Sequence, residues 1–260
     1  MKHLKLYEQF ELDEDPWGED TPRERTFWNW FQENYAGRDP EKIKVIDCSG
    51  KDLVNLEGIE NLRNLRELRC YHNPRLTSLK GIENLRNLRW LNCSNNPGLT
   101  SLEGIVENLR NLQRLDCSNN PGLTNLDGIE NLRNLQMLYC SNNPGLTSLE
   151  GIENLRNLQW LDCSYNPGLT SLDEIKNLRN LRWLSCSNNP GLTSLEGMVG
   201  NLRNLQWLDC SDNPGLTSLD DIDNLRNLQV LYCYNNPGFS TEYKDYLKKY
   251  CSKRKIKLSI

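Results

Sequence analysis

Along most of the chain a single arrangement of apolar and polar positions keeps returning. In Gln159-Trp160-Leu161-Asp162-Cys163-Ser164, Leu161 and Cys163 alternate with Trp160, Asp162 and Ser164. Period-two alternation puts the first pair on one face of a strand and the other three on the opposite face. The apolar positions that follow, Leu169, Leu172, Ile175, Leu178 and Leu181, are spaced by three. That spacing suits 3₁₀ turns, whose side chains at i and i+3 eclipse. Each unit therefore predicts one short strand and a narrow return path. The strand cysteine marks the period at Cys48, Cys70, Cys93, Cys117, Cys140, Cys163, Cys186, Cys210 and Cys233, 185 residues over eight intervals, or about 23 each. A fixed period between about 20 and 50 residues is the signature of a solenoid. Successive strands run the same way, so they form a parallel sheet with rows about 4.8 Å apart.

After the strand comes Asn166-Pro167-Gly168, where Pro fixes φ and Gly tolerates positive φ, so the chain turns. The Asn recurs as Asn73, Asn96, Asn120, Asn143, Asn166, Asn189, Asn213 and Asn236. A buried column of amides must be hydrogen-bonded to survive. Two units carry one extra residue on the return, at Ile105-Val106 and Met198-Val199. Bulges on the convex side are expected to absorb them without disturbing the sheet.

The pattern L-x-x-L-x-C-x-x-N-x-x-L resembles the leucine-rich repeat, with Cys in the last apolar strand position. The second half, L-x-G-I-E-N-L-R-N-L, is most similar to the short-repeat class found in bacterial internalins and in a regulatory subunit of protein phosphatase 1. The resemblance spans residues 43 to 239 in eight tandem matches. It implies that the Asn column bonds backbone groups of adjoining turns. The fold class expected is an α/β solenoid: a leucine-rich-repeat arc with the parallel sheet on its concave face and a 3₁₀ or irregular convex side. The Cys ladder and the Asn-Pro-Gly turn depart from the family pattern. Similar Cys-bearing arrays are familiar from large DNA viruses of amoebae and from some bacteria.

The ends of the repeat region are expected to be capped, because an open solenoid end exposes apolar core. Residues 1–42 form an N-terminal segment. In it Glu11 to Asp20 reads as an acidic loop, and a helix is expected from Thr21 at N-cap, Pro22 at N1 and Glu24 at N3 to Ala36, with Gly37 as stop. Phe27, Trp28, Phe31 and Tyr35 fall on one stripe of that helix. Leu4, Leu6 and Tyr7 pack with it or form a separate strand. Residues 43–239 are the solenoid of about nine repeats, the first of them, Ile43 to Leu56, degenerate. Residues 240–260 form the C-terminal cap: a helix with Ser240 at N-cap and Tyr243, Tyr246, Leu247 and Tyr250 inward, then an alternating stretch, Lys255 to Ile260, suited to a last strand.

Charge divides between these ends. Residues 1–40 hold five basic and ten acidic residues, whereas residues 241–260 hold seven basic and two acidic. The whole chain carries a net −4, which leaves no general nucleic-acid footprint. The basic C-terminal end reads as a solvated, edge-protecting surface. The start shows no signal peptide and no stretch reaches transmembrane length. Nine cysteines in an inward column read as unpaired small hydrophobes, which argues for an intracellular, reducing compartment, cytoplasmic or packaged in a virion.

Candidate chemistry concentrates on the concave face. One outward column reads Glu67, Trp90, Arg114, Met137, Trp160, Trp183, Trp207, Val230, and its neighbour Arg69, Asn92, Asp116, Tyr139, Asp162, Ser185, Asp209, Tyr232. Trp160, Trp183 and Trp207 are consecutive and expected to stack. Trp and Tyr are favoured binding anchors, and equivalent aromatics on adjacent strands also stabilise each other by roughly 0.2–1 kcal/mol per pair. The expected partner site is Trp90, Asp116, Met137, Tyr139, Trp160, Asp162, Trp183, Trp207, Asp209 and Tyr232, its carboxylates suited to a basic or mixed protein surface. The Ser column has no general base beside it, so a nucleophile is not expected. The linear Cys column does not suit tetrahedral zinc. The Arg column from Arg63 to Arg226 has acidic residues three positions before most members and reads as a solvated ion-pair lattice. No enzyme, cofactor, metal, nucleic acid or membrane is expected. The reading is a non-catalytic protein-interaction module, monomeric or weakly self-associating. The alternatives are a self-associating scaffold, as in a component of a large-virus particle, and a secreted, internalin-like adhesin.

Overall fold

The computed structural model describes residues 25–105, 108–197 and 201–260. The alternating stretches form strands of three residues each: β1 (Val45–Asp47), β2 (Glu67–Arg69), β3 (Trp90–Asn92), β4 (Arg114–Asp116), β5 (Met137–Tyr139), β6 (Trp160–Asp162), β7 (Trp183–Ser185), β8 (Trp207–Asp209), β9 (Val230–Tyr232) and β10 (Lys257–Ser259). They make one parallel sheet in sequence order. The central Leu (Ile46 in β1) of each repeat strand is buried and its two neighbours are half-buried or exposed, as period-two alternation requires, except Ser185 in β7, which is small enough to be buried. The return paths carry 3₁₀ turns such as Ile59–Asn61, Ile129–Asn131 and Asp173–Asn177. Leu169, Leu172, Ile175, Leu178 and Leu181 are all buried, one ring of the continuous core. The two longer repeats leave the sheet in register, with Trp90 opposite Arg114 and Trp183 opposite Trp207. The extra residues themselves lie largely outside the described ones.

The asparagine column is the internal frame. Each Asn from Asn96 to Asn236 accepts at Oδ1 the backbone N–H of the Asn one repeat earlier, at 2.7 or 2.8 Å. Its Nδ2 donates to the Cys carbonyl of its own row and to that of the preceding row; for Asn166 these are Cys163 O at 2.9 Å and Cys140 O at 3.0 Å. One side chain thus satisfies three backbone groups in the buried turns, as buried polar groups require. A second, exposed amide column had no place in the sequence reading. Asn87, Asn111, Asn134, Asn157, Asn180, Asn204 and Asn227 each donate Nδ2 to an Arg carbonyl of the preceding repeat, at 2.8–3.1 Å. The unvarying N-L-R-N-L stretch was its sequence signal.

The ten cysteines are buried and free. The thiols of Cys48, Cys70, Cys93, Cys117, Cys140, Cys163 and Cys210 each lie 3.3–3.6 Å from a carbonyl of the next row, a weak donor contact.

Among the described residues the N-terminal helix, α1 (Phe27–Tyr35), begins later than the Thr21 cap reading expects. Thr26 is the N-cap and accepts from Asn29 N–H at 3.2 Å. The start is set by burial: Phe27, Trp30 and Phe31 enter the core, with Trp28 and Tyr35 packed beside them. Trp30 was missed because it falls off the stripe read from the sequence. Gly37, at φ +73°, follows the helix as its stop. The acidic loop, Leu4, Leu6, Tyr7 and the Thr21-Pro22 start lie outside the described residues.

At the other end α2 (Thr241–Arg254) is N-capped by Ser240, which accepts from Tyr243 N–H at 3.1 Å. Leu247, Tyr250 and Cys251 are buried. Tyr246, expected inward, stays exposed because its hydroxyl reaches Asp223 at 3.0 Å on the solvent edge. Strand β10 then adds the last row, with Leu258 opposite Leu231. No helix among the described residues is long and apolar enough to cross a membrane.

The convex ion-pair lattice is corrected. Among the described residues the ion pairs include no arginine of the Arg63–Arg226 column. Glu60, Glu83 and Glu153 instead accept the backbone N–H of Gly58, Gly81 and Gly151 at 3.0, 2.6 and 2.9 Å. Those N–H groups precede positive-φ 3₁₀ starts that lack any other side-chain cap, so a short-range bond to backbone wins over a solvated pair.

Candidate functional site

The sheet register places the expected side chains side by side on the concave face. Leu161, Leu184 and Leu208 point inward and are fully buried, so Trp160, Trp183 and Trp207 must point out. Each opposes the next across the ladder. Their rings stack with centroids 4.3 and 4.2 Å apart and interplanar angles of 12° and 9°. Row spacing explains the stack: parallel in-register strands set equal side chains about one 4.8 Å step apart. Two tyrosines flank the stack at an angle. Tyr139 lies 6.5 Å from Trp160, and Tyr232 meets Trp207 edge-on at 5.5 Å. Met137 stands in the Trp column one row before Trp160. Trp160 Nε1–H is shielded from solvent and has no acceptor among the described residues.

Trp90 is set apart from this group. The rows on either side carry Arg69 and Arg114, and each guanidinium lies 4.7 Å from the Trp90 ring centroid. Cation–π contacts therefore hold it on both faces. Arg69 is further held by Glu67 and by Asp47 at 3.6 Å. The two arginines were not singled out in the sequence. Their positions two residues apart in rows on either side of Trp90 were the available signal.

The carboxylates form a second column. Asp162 accepts from Ser164 N–H at 3.1 Å and from its hydroxyl at 2.6 Å. Asp116 and Asp209 take the N–H of Ser118 and Ser211 at 3.1 and 3.0 Å. These bonds fix each carboxylate at the strand end and explain the Ser column as a turn element. Burial raises the Asp116 carboxyl above its ordinary value, opposed by the bonds from Ser118. Aromatic faces and fixed carboxylates together suit a surface carrying cations and flat or aliphatic groups.

Other constellations offer less. Among the described residues no group of three or more His, Cys, Asp or Glu is arranged to hold a metal. Burial drives the column thiols well above their ordinary value, which suppresses nucleophilic thiolate. Tyr165 and Tyr234, in the turns that follow β6 and β9, are exposed, Tyr165 by 54%.

Comparison with known proteins agrees with this architecture. Internalin C2 from Listeria monocytogenes str. 4b F2365 is similar at a TM-score of 0.68 and 27% identity, over 74% of this chain and 81% of that one. A second internalin, inlF of the same strain, gives a TM-score of 0.44 at 21% identity, over 76% and 75% of the two chains. No curated protein matches the chain. The family model for leucine-rich repeats (2 copies) matches residues 86–131, 110–154, 133–177, 179–224 and 203–241. Those matches cover more than half of the sequence and fall on the same rows that build the sheet, and the chain belongs to the leucine-rich-repeat family.

Proposed function

We propose that this chain binds a protein partner non-catalytically through its concave face. Family membership and the likeness to internalins support a protein-interaction module in general. The observation that carries the finer reading is the three-indole stack of Trp160, Trp183 and Trp207, half-buried and open to the concave side. A contiguous aromatic surface on a rigid sheet loses little side-chain entropy on binding, which favours it as an anchor. Met137, Tyr139 and Tyr232 extend the apolar area. Asp116, Asp162 and Asp209 select for cations on the partner. Trp90, clamped between two arginines, forms a separate, charged end of the same surface.

The test is a paired affinity capture under reducing conditions. One bait is the wild-type chain and the other carries Trp160→Ser, Trp183→Ser and Trp207→Ser, with circular dichroism unchanged. The expected result is a partner held by the first and lost by the second. The same partner held equally by both refutes the concave reading.

We assign the chain to a reducing, intracellular compartment on the same footing. Ten free, buried cysteines support it. Denaturing thiol titration of protein trapped at lysis is expected to count ten; two or more missing thiols point to a disulfide and an oxidising compartment.

A further inference from the structure

The carboxylates of the concave face fall in step. Down one column the rows from β4 to β8 read Asp116, Tyr139, Asp162, Ser185 and Asp209, each opposite the next. A carboxylate therefore stands on every second row. All three are held alike, at Oδ1, by the N–H of Ser118, Ser164 and Ser211. None of them is in an ion pair among the described residues. Their charges act on one another: after burial, it is the Asp162 carboxylate that raises Asp116. Beside them, in β6, β7 and β8, stand Trp160, Trp183 and Trp207.

The stack limits how these indoles are used. Neighbouring rings cover one another at 4.3 and 4.2 Å, so a partner meets ring edges more than open faces. The edge is the positive rim of the aromatic quadrupole. The strip is thus a ridged apolar rail, and cations on the partner are left to the carboxylates.

The pitch of the column decides what spans it. Two rows advance about 8.5 Å at the height of the rings and about 9.6 Å at the backbone. From Asp116 to Asp209 is then about 17–19 Å. A polyproline II segment has three residues per turn and rises about 3.1 Å per residue. Every third side chain lies on one face, about 9.3 Å from the last, and six residues cover about 18.6 Å. An α-helix returns to a face after seven residues, about 10.5 Å, and two such steps overshoot to about 21 Å. A β-strand returns a side chain to one face after about 6.7 or 13.4 Å and matches neither step.

We infer, resting on the concave-face reading above, that the partner segment is a polyproline II stretch with Lys or Arg at every third residue, laid across the strands. Its cations sit over Asp116, Asp162 and Asp209. A second line of its side chains, proline among them, runs along the edges of Trp160, Trp183 and Trp207. The third line faces solvent. Such a segment is already extended when free, so it loses little entropy on binding.

Calorimetric titration of the full chain with three peptides tests the inference. The first is four Pro-Pro-Lys triplets, acetylated and amidated. The second has the same composition with its four lysines in one block. The third is an alanine-rich helix with lysines seven residues apart. The triplet peptide is expected to bind at least about tenfold more tightly than either control. Asp162→Asn with Asp209→Asn should weaken it by about tenfold or more. The asparagine Oδ1 still accepts the serine N–H, and circular dichroism checks the fold. Equal affinity for the triplet and block peptides overturns the inference. So does tighter binding of the helix, triplet binding indifferent to the aspartate pair, or no binding of the triplet peptide. Each of these outcomes leaves the concave-face reading to the capture experiment, where a partner lost with the three tryptophans upholds the surface and gives its segment another shape.

Discussion

Raising the pH of the reduced protein from 8 to 11 is expected to unfold it cooperatively near pH 9–10.5. The cause is the cysteine column. All nine thiols from Cys48 to Cys233 are pushed up, first of all by burial, Cys233 to about 12. In the unfolded chain the same thiols ionise near about 8.5. Below that value both states hold the protons and the column is neutral to stability. Above it the unfolded state holds fewer protons than the folded one, so stability falls as pH rises towards the folded values. One pH unit past the unfolded value the penalty is about 1.4 kcal/mol per thiol, or about 13 kcal/mol for nine. That rivals the whole stability of an ordinary domain, about 5–15 kcal/mol. Far-ultraviolet circular dichroism against pH, with reductant present, gives the midpoint. Replacing Cys140 and Cys163 by Val should shift it upward and make the transition shallower by roughly two ninths. A chain still native at pH 11 would show that the column ionises in place.

Asn166→Ala is expected to destabilise the chain by about 2–4 kcal/mol, since several buried groups each lose a partner. The substitution removes the acceptor of Asn143 N–H, at 2.8 Å, and the donor to Cys140 O and Cys163 O. All lie in turns closed to water, so none regains a bond from solvent. The paired control is Asn157→Ala in the exposed column, whose single bond to Arg133 O, at 2.9 Å, is replaceable by water. It should cost under about 1 kcal/mol. Urea unfolding compares the two, and equal losses would sink the claim that the inner column is the frame. Because repeats interact mainly with neighbours, Asn166→Ala is also expected to lower the m-value if the array separates into two units.

The sequence by itself determined the repeat, and through it most of the molecule. Strand and return follow from two local spacings, period two in Leu161-Asp162-Cys163 and period three from Leu169 to Leu181. Stacking converts a period into contacts: residues about 23 apart become neighbours, so the Trp160–Trp183–Trp207 stack and the Asn column were readable as arithmetic. What has no period was decided only in three dimensions. The start of α1 at Phe27 depends on how Phe27, Trp30 and Phe31 meet the first repeat, and capping residues at Thr21 and Thr26 are locally equivalent signals. Long charged side chains choose among several partners within reach at small energy differences. That is why Arg69 and Arg114 close on Trp90, while Glu60, Glu83 and Glu153 turn to glycine N–H groups instead of to arginines.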